Sequence, residues 1–298
     1  MGDSPADLFA KAALSDRPAE ALPHLPGAAD TIWSAAAAGD DRAVAAFLRR
    51  NPALARRAGG PRNFPPLLYA AFSRFHRVQP RRRLGFIRVV RLLLKAGADP
   101  DTSWRHPEWP DSPQTALYGA TGETDQPGIA RVLLEAGADP DDGESIYHAA
   151  EHFHLACLTL LKKHGADLSG PFQPWNNTPL YFLMGYPESH PTTRTSGRGV
   201  RWLLENGADP DVRSGPDAET PLHRAVRHGR SPATLRLLLR HGADPDARTR
   251  SGQTPLGLAV ALGDDRAADL LRRNGASESL LRPEDVLLGA CARGALAT

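Results

Sequence analysis

The sequence predicts an all-α solenoid of stacked helix-turn-helix units with projecting loops, and two recurring motifs over its 298 residues predict it. The first is a Leu-rich segment ending in Gly-Ala-Asp. It occurs as RLLLKAGADP (91–100), RVLLEAGADP (131–140), RWLLENGADP (201–210) and RLLLRHGADP (236–245), with weaker copies in LTLLKKHGADL (158–168) and LLRRNGAS (270–277). The second precedes it: PPLLYAA (65–71), TALYGAT (115–121), TPLYFLM (178–184), TPLHRAV (220–226) and TPLGLAV (254–260). The terminal glycines Gly207, Gly242 and Gly275 are 35 and 33 residues apart. A period of that length means an array in which each unit buries its apolar face against its neighbours.

Each element has a local reason. Thr opens the first helix because its hydroxyl accepts an orphaned backbone N–H, and Pro follows where no donor is needed. Small residues then allow close approach of the next unit. The Leu-rich second helix stops at Gly, which readily takes the left-handed C′ conformation. Asp and Pro turn the chain outward. This order of cap, helix, turn, helix, Gly and loop closely resembles the ankyrin repeat over about residues 30–277. The resemblance implies protein–protein recognition through projecting loops and a concave inner face.

The units start at Asp30, Pro65, Thr115, Glu144, Thr178, Thr220 and Thr254, about seven repeats in one elongated domain spanning 1–298. Residues 5–26 read as a cap-like helix pair, and 284–298 as a C-terminal half-repeat or cap. Two stretches between paired helices, 73–85 and 186–199, read as polar, mobile insertions. The loop from Gly97 to Thr115 is longer than its counterparts and carries Trp104, His106 and Trp109. The next loop, 137–144, is short and is expected to leave the inner face open beside it.

Composition narrows the function classes. With 41% apolar residues the helices can bury ample area, yet no run approaches 18 apolar residues, so no membrane span is expected. The acidic start MGDSPADLF does not read as a secretory signal. Two distant cysteines, Cys157 and Cys291, suggest reduced thiols packed in a cytoplasmic protein. Ala, Arg and Pro usage suggests a bacterial source. Charge is uneven: from Arg42 to Ala98 there are 13 Arg, one Lys and no acid, against a net charge of +2 for the whole chain. Such polarisation steers acidic partners. An Arg-rich nucleic-acid binder is the alternative, although stacking and groove-reading motifs are missing.

Candidate binding residues are therefore Trp104, His106 and Trp109, with Arg74, Arg77, Arg81, Arg82 and Arg83 beside them. Tyr118, Tyr147 and His152 border the inner face. In the family the fourth position of Thr-Pro-Leu-His joins neighbouring units; Trp33, Tyr118, Tyr147, Tyr181 and His223 occupy it. The string HAAEH (148–152) has the order of a class of zinc peptidases, but it falls on the first helix of a unit, and histidine is common there. Asp139, Asp141, Asp142 and Glu144 lack the spacing of a calcium loop. The expectation is a non-enzymatic adaptor or inhibitor, monomeric and without cofactor or metal, bound to a protein partner with an acidic surface.

Overall fold

The computed structural model describes residues 2–170, 176–187, 189–191 and 193–294; the side chains of Trp109 and residues 193–195 lie outside the described residues. Among the described residues the chain is all-α apart from one two-stranded hairpin. It divides into two compact units, residues 1–149 with 154–166, and residues 150–153 with 167–298.

In the first unit, a helix Pro5–Ala13 and a 3-10 stretch Pro18–Ala29 precede the repeats. The inner helices of repeats one to three are Ile32–Ala38, Pro66–Ala71 and Ala116–Tyr118, the last continuing as a π turn over Gly119–Glu123. Their outer partners are Asp41–Arg50, Arg83–Lys95 and Pro127–Glu135. Repeat four contributes the inner helix Ser145–Glu151 and the outer helix Leu155–Lys163. In the second unit, repeats five to seven pair Pro179–Met184 with Thr193–Glu205, Pro221–Arg227 with Pro232–Arg240, and Pro255–Ala261 with Asp265–Arg273. A helix Pro283–Ala292 follows.

The expected caps form. Thr115, Thr178, Thr220 and Thr254 each accept a backbone N–H three residues on, and Thr31, not read as a cap in the sequence, does the same for the first inner helix. Each Leu-rich helix ends near a glycine with positive φ, +97° at Gly207. Carboxylates of the projecting loops then receive the backbone of the next loop. Asp101 accepts from the Asp139 N–H at 2.8 Å, Asp211 from Asp244 at 3.0 Å, and Asp246 from Ser277 at 2.8 Å. These bonds repeat the unit spacing outside the helices.

The long loop departs from the expected irregular form. Residues Ser103–His106 (β1) and Trp109–Thr115 (β2) pair antiparallel, with Ser103 opposite Thr115 and Trp104 opposite Gln114. The short loop beside it receives the hairpin's side chains. Ser112 on β2 donates to the Glu144 carboxylate and Thr115 to Asp142, so the hairpin leans on that loop.

The insertion at 73–85 is built into the fold. It forms a short helix Phe75–Val78 and a 3-10 turn Pro80–Arg82. Phe75 is fully buried, its ring edge-on to Phe9 at 5.0 Å, and His76 is buried with Nδ1 3.0 Å from the Ser73 carbonyl. Its last residues, 83–85, belong to the outer helix. Gly85 there approaches the previous repeat so closely that a Cβ would lie 2.2 Å from the Gly39 carbonyl oxygen. Among the described residues of 186–199, those from Thr193 likewise begin an outer helix of 13 residues.

Candidate partner-binding surface

The hairpin surface starts from one buried tyrosine. Tyr69, on the inner helix of repeat two, donates its hydroxyl to the Gly59 carbonyl at 3.0 Å and accepts from the Arg62 N–H at 2.9 Å. That pair of bonds shapes the 59–64 turn, closed by a bridge between Gly59 and Phe64. The Phe64 ring packs on Tyr69 at 5.7 Å and on Trp104 at 5.1 Å. Trp104 and His106, two residues apart on β1, share a face of the ribbon, and their rings lie 5.5 Å apart.

Between this turn and β1 opens a groove of about 410 Å³, lined by Arg62, Asn63, Phe64, Trp104, Arg105 and Pro107. Arg62 and Arg105 are exposed, whereas Phe64 is 7% exposed. Among the described residues, the solvent-shielded Trp104 indole N–H has no hydrogen-bond partner.

The other expected residues separate into distinct places. Arg74 is mostly buried and paired with Asp16 at 3.1 Å and with Glu123. Glu123 also accepts the Tyr118 hydroxyl at 2.6 Å, while its carbonyl accepts from Arg77 at 3.0 Å. Burial, and then the charge of Arg74, lowers the Arg77 guanidinium below its ordinary pKa. Arg82 donates to the Ala38 carbonyl at 3.1 Å and stands over the Phe75 ring. Arg74, Arg77 and Arg82 thus stitch the insertion to its surroundings, and Arg74 brings no uncompensated charge. Arg81 and Arg83 are exposed. Trp109 opens β2, but its side chain lies outside the described residues.

On the inner side, the Tyr118 ring packs against Phe72 at 5.9 Å and His148 at 5.2 Å. Tyr147 is only 4% exposed and has little surface for a partner; His152 is exposed. His148, Glu151 and His152 follow one another along a single helical turn and can each present a ligand atom within 4.8 Å. His148 Nε2 already meets Glu144 at 3.1 Å. Glu151 takes a hydrogen bond from the Tyr186 hydroxyl, whose pKa is raised by burial and by that carboxylate.

Cys157 is buried, and burial followed by nearby Asp125 pushes its thiol pKa up. Cys291 is exposed, against the expectation of a packed thiol, because the helix Pro283–Ala292 has no second helix among the described residues. Arg62, Asn63, Phe64 and Arg105 were not among the expected residues. The signal for the first three was the segment PRNF ahead of PPLLYAA, readable only once the 59–64 turn is seen to pack against the hairpin.

Residues 194–280 match a family model described as ankyrin repeats (3 copies). No curated protein matches the chain. Among solved structures, the human ASB11 ankyrin repeat domain is similar at 22% identity and a TM-score of 0.57, covering 83% of this chain and 98% of that one. The ankyrin repeat domain of Bcl-3, described as a unique member of the IkappaB protein family, is similar at 26% identity and a TM-score of 0.55. It covers 75% of this chain and 96% of that one.

Proposed function

Because this chain is an ankyrin repeat protein, we propose that it is a non-enzymatic adaptor or inhibitor that binds a protein partner at the hairpin of its first unit. Ankyrin repeat domains are generally protein–protein interaction modules, and among the described residues no helix is long and apolar enough to cross a membrane. The observation that carries the reading is the groove in which Trp104 lies on Phe64 between Arg62 and Arg105. An aromatic anchor inside a cationic rim is what a binding hot spot needs: the ring supplies affinity, and the rim supplies steering. A partner segment that offers an acidic side chain to the Arg pair and an apolar side chain to the Trp104 ring would satisfy both features. We take the protein to be a cytoplasmic monomer; its two free cysteines fit a reducing compartment.

The test is affinity capture at moderate salt with wild type and with Trp104→Ala, followed by association kinetics on the protein identified. Trp104→Ala is expected mainly to speed dissociation. Arg62→Glu with Arg105→Glu is expected mainly to slow association, with the deficit shrinking as salt rises. Unchanged rate constants in both variants would move the interface elsewhere. Retention of nucleic acid instead of protein, with a steep salt dependence, would favour the Arg-rich nucleic-acid reading.

A further inference from the structure

A second concentration of positive charge in the first unit lies on its outer helices. The outer helices of repeats one and two, Asp41–Arg50 and Arg83–Lys95, bury Val44, Leu48, Phe86, Val89, Val90 and Leu93. Their other faces border a groove of about 510 Å³. Arg42 and Arg49 line one helix; Arg88, Arg91 and Lys95 line the other, with Asp41 among them. The floor is apolar, made by Ala45 and Leu92. Asp41 is committed, since it accepts from Arg88 Nε at 2.8 Å. Among the described residues, Arg42, Arg49, Arg91 and Lys95 have no carboxylate within ion-pair reach.

Helix geometry explains the convergence. Arg42 and Arg49 are seven residues apart, two turns or about 10 Å on one face, and Arg88, Arg91 and Lys95 follow the i, i+3, i+7 rule on the other. Two rigid rows of cations therefore face one shared space, held by buried residues beneath. A groove in the second unit between the outer helices of repeats six and seven, about 450 Å³, carries only Arg236, Arg266 and Arg273, together with Asp269. A groove between outer helices thus recurs in this fold with three cations, and the first carries four without an ion pair among the described residues.

We propose that this groove is a second binding site, for a compact polyanion carrying two or three clustered phosphates. Its volume lies in the range of small-ligand sites, roughly 300–1,000 Å³. Each phosphate monoester brings about −1.5 to −2 charges at neutral pH, so two come close to balancing the four free cations and three somewhat exceed them, whereas a monoanion leaves most of them facing one another. Arginine forks grip phosphate oxygens in pairs. The same clustered phosphates occur on small solutes and on phosphoinositide headgroups, and the two sources are separable by experiment.

The probe is inorganic tripolyphosphate, titrated calorimetrically into the full chain at low and at physiological ionic strength. The groove variant carries Arg42→Gln, Arg49→Gln, Arg91→Gln and Lys95→Gln. A control variant carries Arg56→Gln, Arg57→Gln, Arg131→Gln and Arg240→Gln, removing the same charge from exposed residues outside the groove. Circular dichroism checks that both fold, and Arg49→Glu with Arg91→Glu provides a second groove variant. The expected result is one site in wild type and control, and affinity lower by on the order of tenfold or more in both groove variants, since one contact to a charged group is worth about a decade.

The proposal is overturned if wild type shows no binding at low ionic strength, or if groove and control variants weaken it equally. It is also overturned if only a single-stranded oligonucleotide binds in a groove-dependent way. With tripolyphosphate binding established, groove-dependent sedimentation with phosphatidylinositol bisphosphate vesicles, and not with phosphatidylserine vesicles of equal charge, assigns the headgroup. Binding to tripolyphosphate without sedimentation assigns a free solute.

Discussion

Side chains at the fourth position of the Thr-Pro-Leu-His motif differ chemically yet reach to the same kind of target. Trp33 Nε1 donates to the Arg57 carbonyl at 3.0 Å, the Tyr181 hydroxyl to the Glu219 carboxylate at 3.1 Å, and His223 Nε2 to the Gln253 carbonyl at 3.0 Å. A carbonyl can only accept, so His223 carries its proton on Nε2 and uses Nδ1 to accept from the Thr220 hydroxyl at 2.9 Å. Burial lowers its pKa. The folded state therefore favours the neutral ring: stability is full above about pH 6.5, the ordinary histidine value, and is lost as pH falls from there toward the folded value. His223→Gln is expected to flatten part of that acid-side loss in denaturant titrations between pH 7.5 and 5.5, with the residue of the slope coming from buried His76 and from His228. At Gly207, where φ is +97° and a Cβ would meet nothing within 4 Å, any cost of a side chain is backbone strain alone. Gly207→Val is expected to lower unfolding free energy by roughly 1–3 kcal/mol; a midpoint equal to wild type would show that the glycine does not terminate the helix.

Repeat helices are legible because their caps, period and stop signals are local. The hairpin is not: β2 contains Pro110 and Pro113, which donate nothing to a ladder, and residues 103–115 show no alternating apolar pattern. Its pairing is held by contacts far along the chain, Trp104 on Phe64 and Ser112 on Glu144. The same holds for 73–85, whose many arginines suggested a solvated, mobile loop. Phe75 and His76 are the residues that bury it, and Arg74 and Arg82 bind it to Glu123 and Ala38. Phe75→Ala is expected to cost about 3–5 kcal/mol of stability by chemical unfolding, as for other fully buried aromatic residues. A loss below about 0.5 kcal/mol, the scale of an ordinary surface substitution, would mean that the insertion is solvated after all.

Over the whole chain, the run of 14 cations in 42–98 is distributed among different tasks. Arg74, Arg77 and Arg82 hold the insertion, Arg62 borders the hairpin groove, and Arg42, Arg49, Arg91 and Lys95 line the outer groove. One compositional signal thus resolves into a structural role and two candidate surfaces. Stacked repeats need no ion to fold, so a chelator is expected to leave the helical circular dichroism and the thermal midpoint unchanged. A large chelator-induced drop would direct attention to His148, Glu151 and His152.

The sequence by itself determined the architecture: six Thr- or Pro-led inner helices and the one that opens at Ser145, their Leu-rich partners, the glycine stops and the loop aspartates all follow from interactions within a unit or with the next one, and so recur as text. Only the tertiary structure decided which irregular residues act together. Phe64 and Trp104 are 40 positions apart, and Arg49 and Arg91 are 42. Neither pair has a period, because each depends on where a departure from the repeat is folded back or on which helices become neighbours. Local grammar specifies the stack, and the packing of its exceptions specifies the surfaces that could bind.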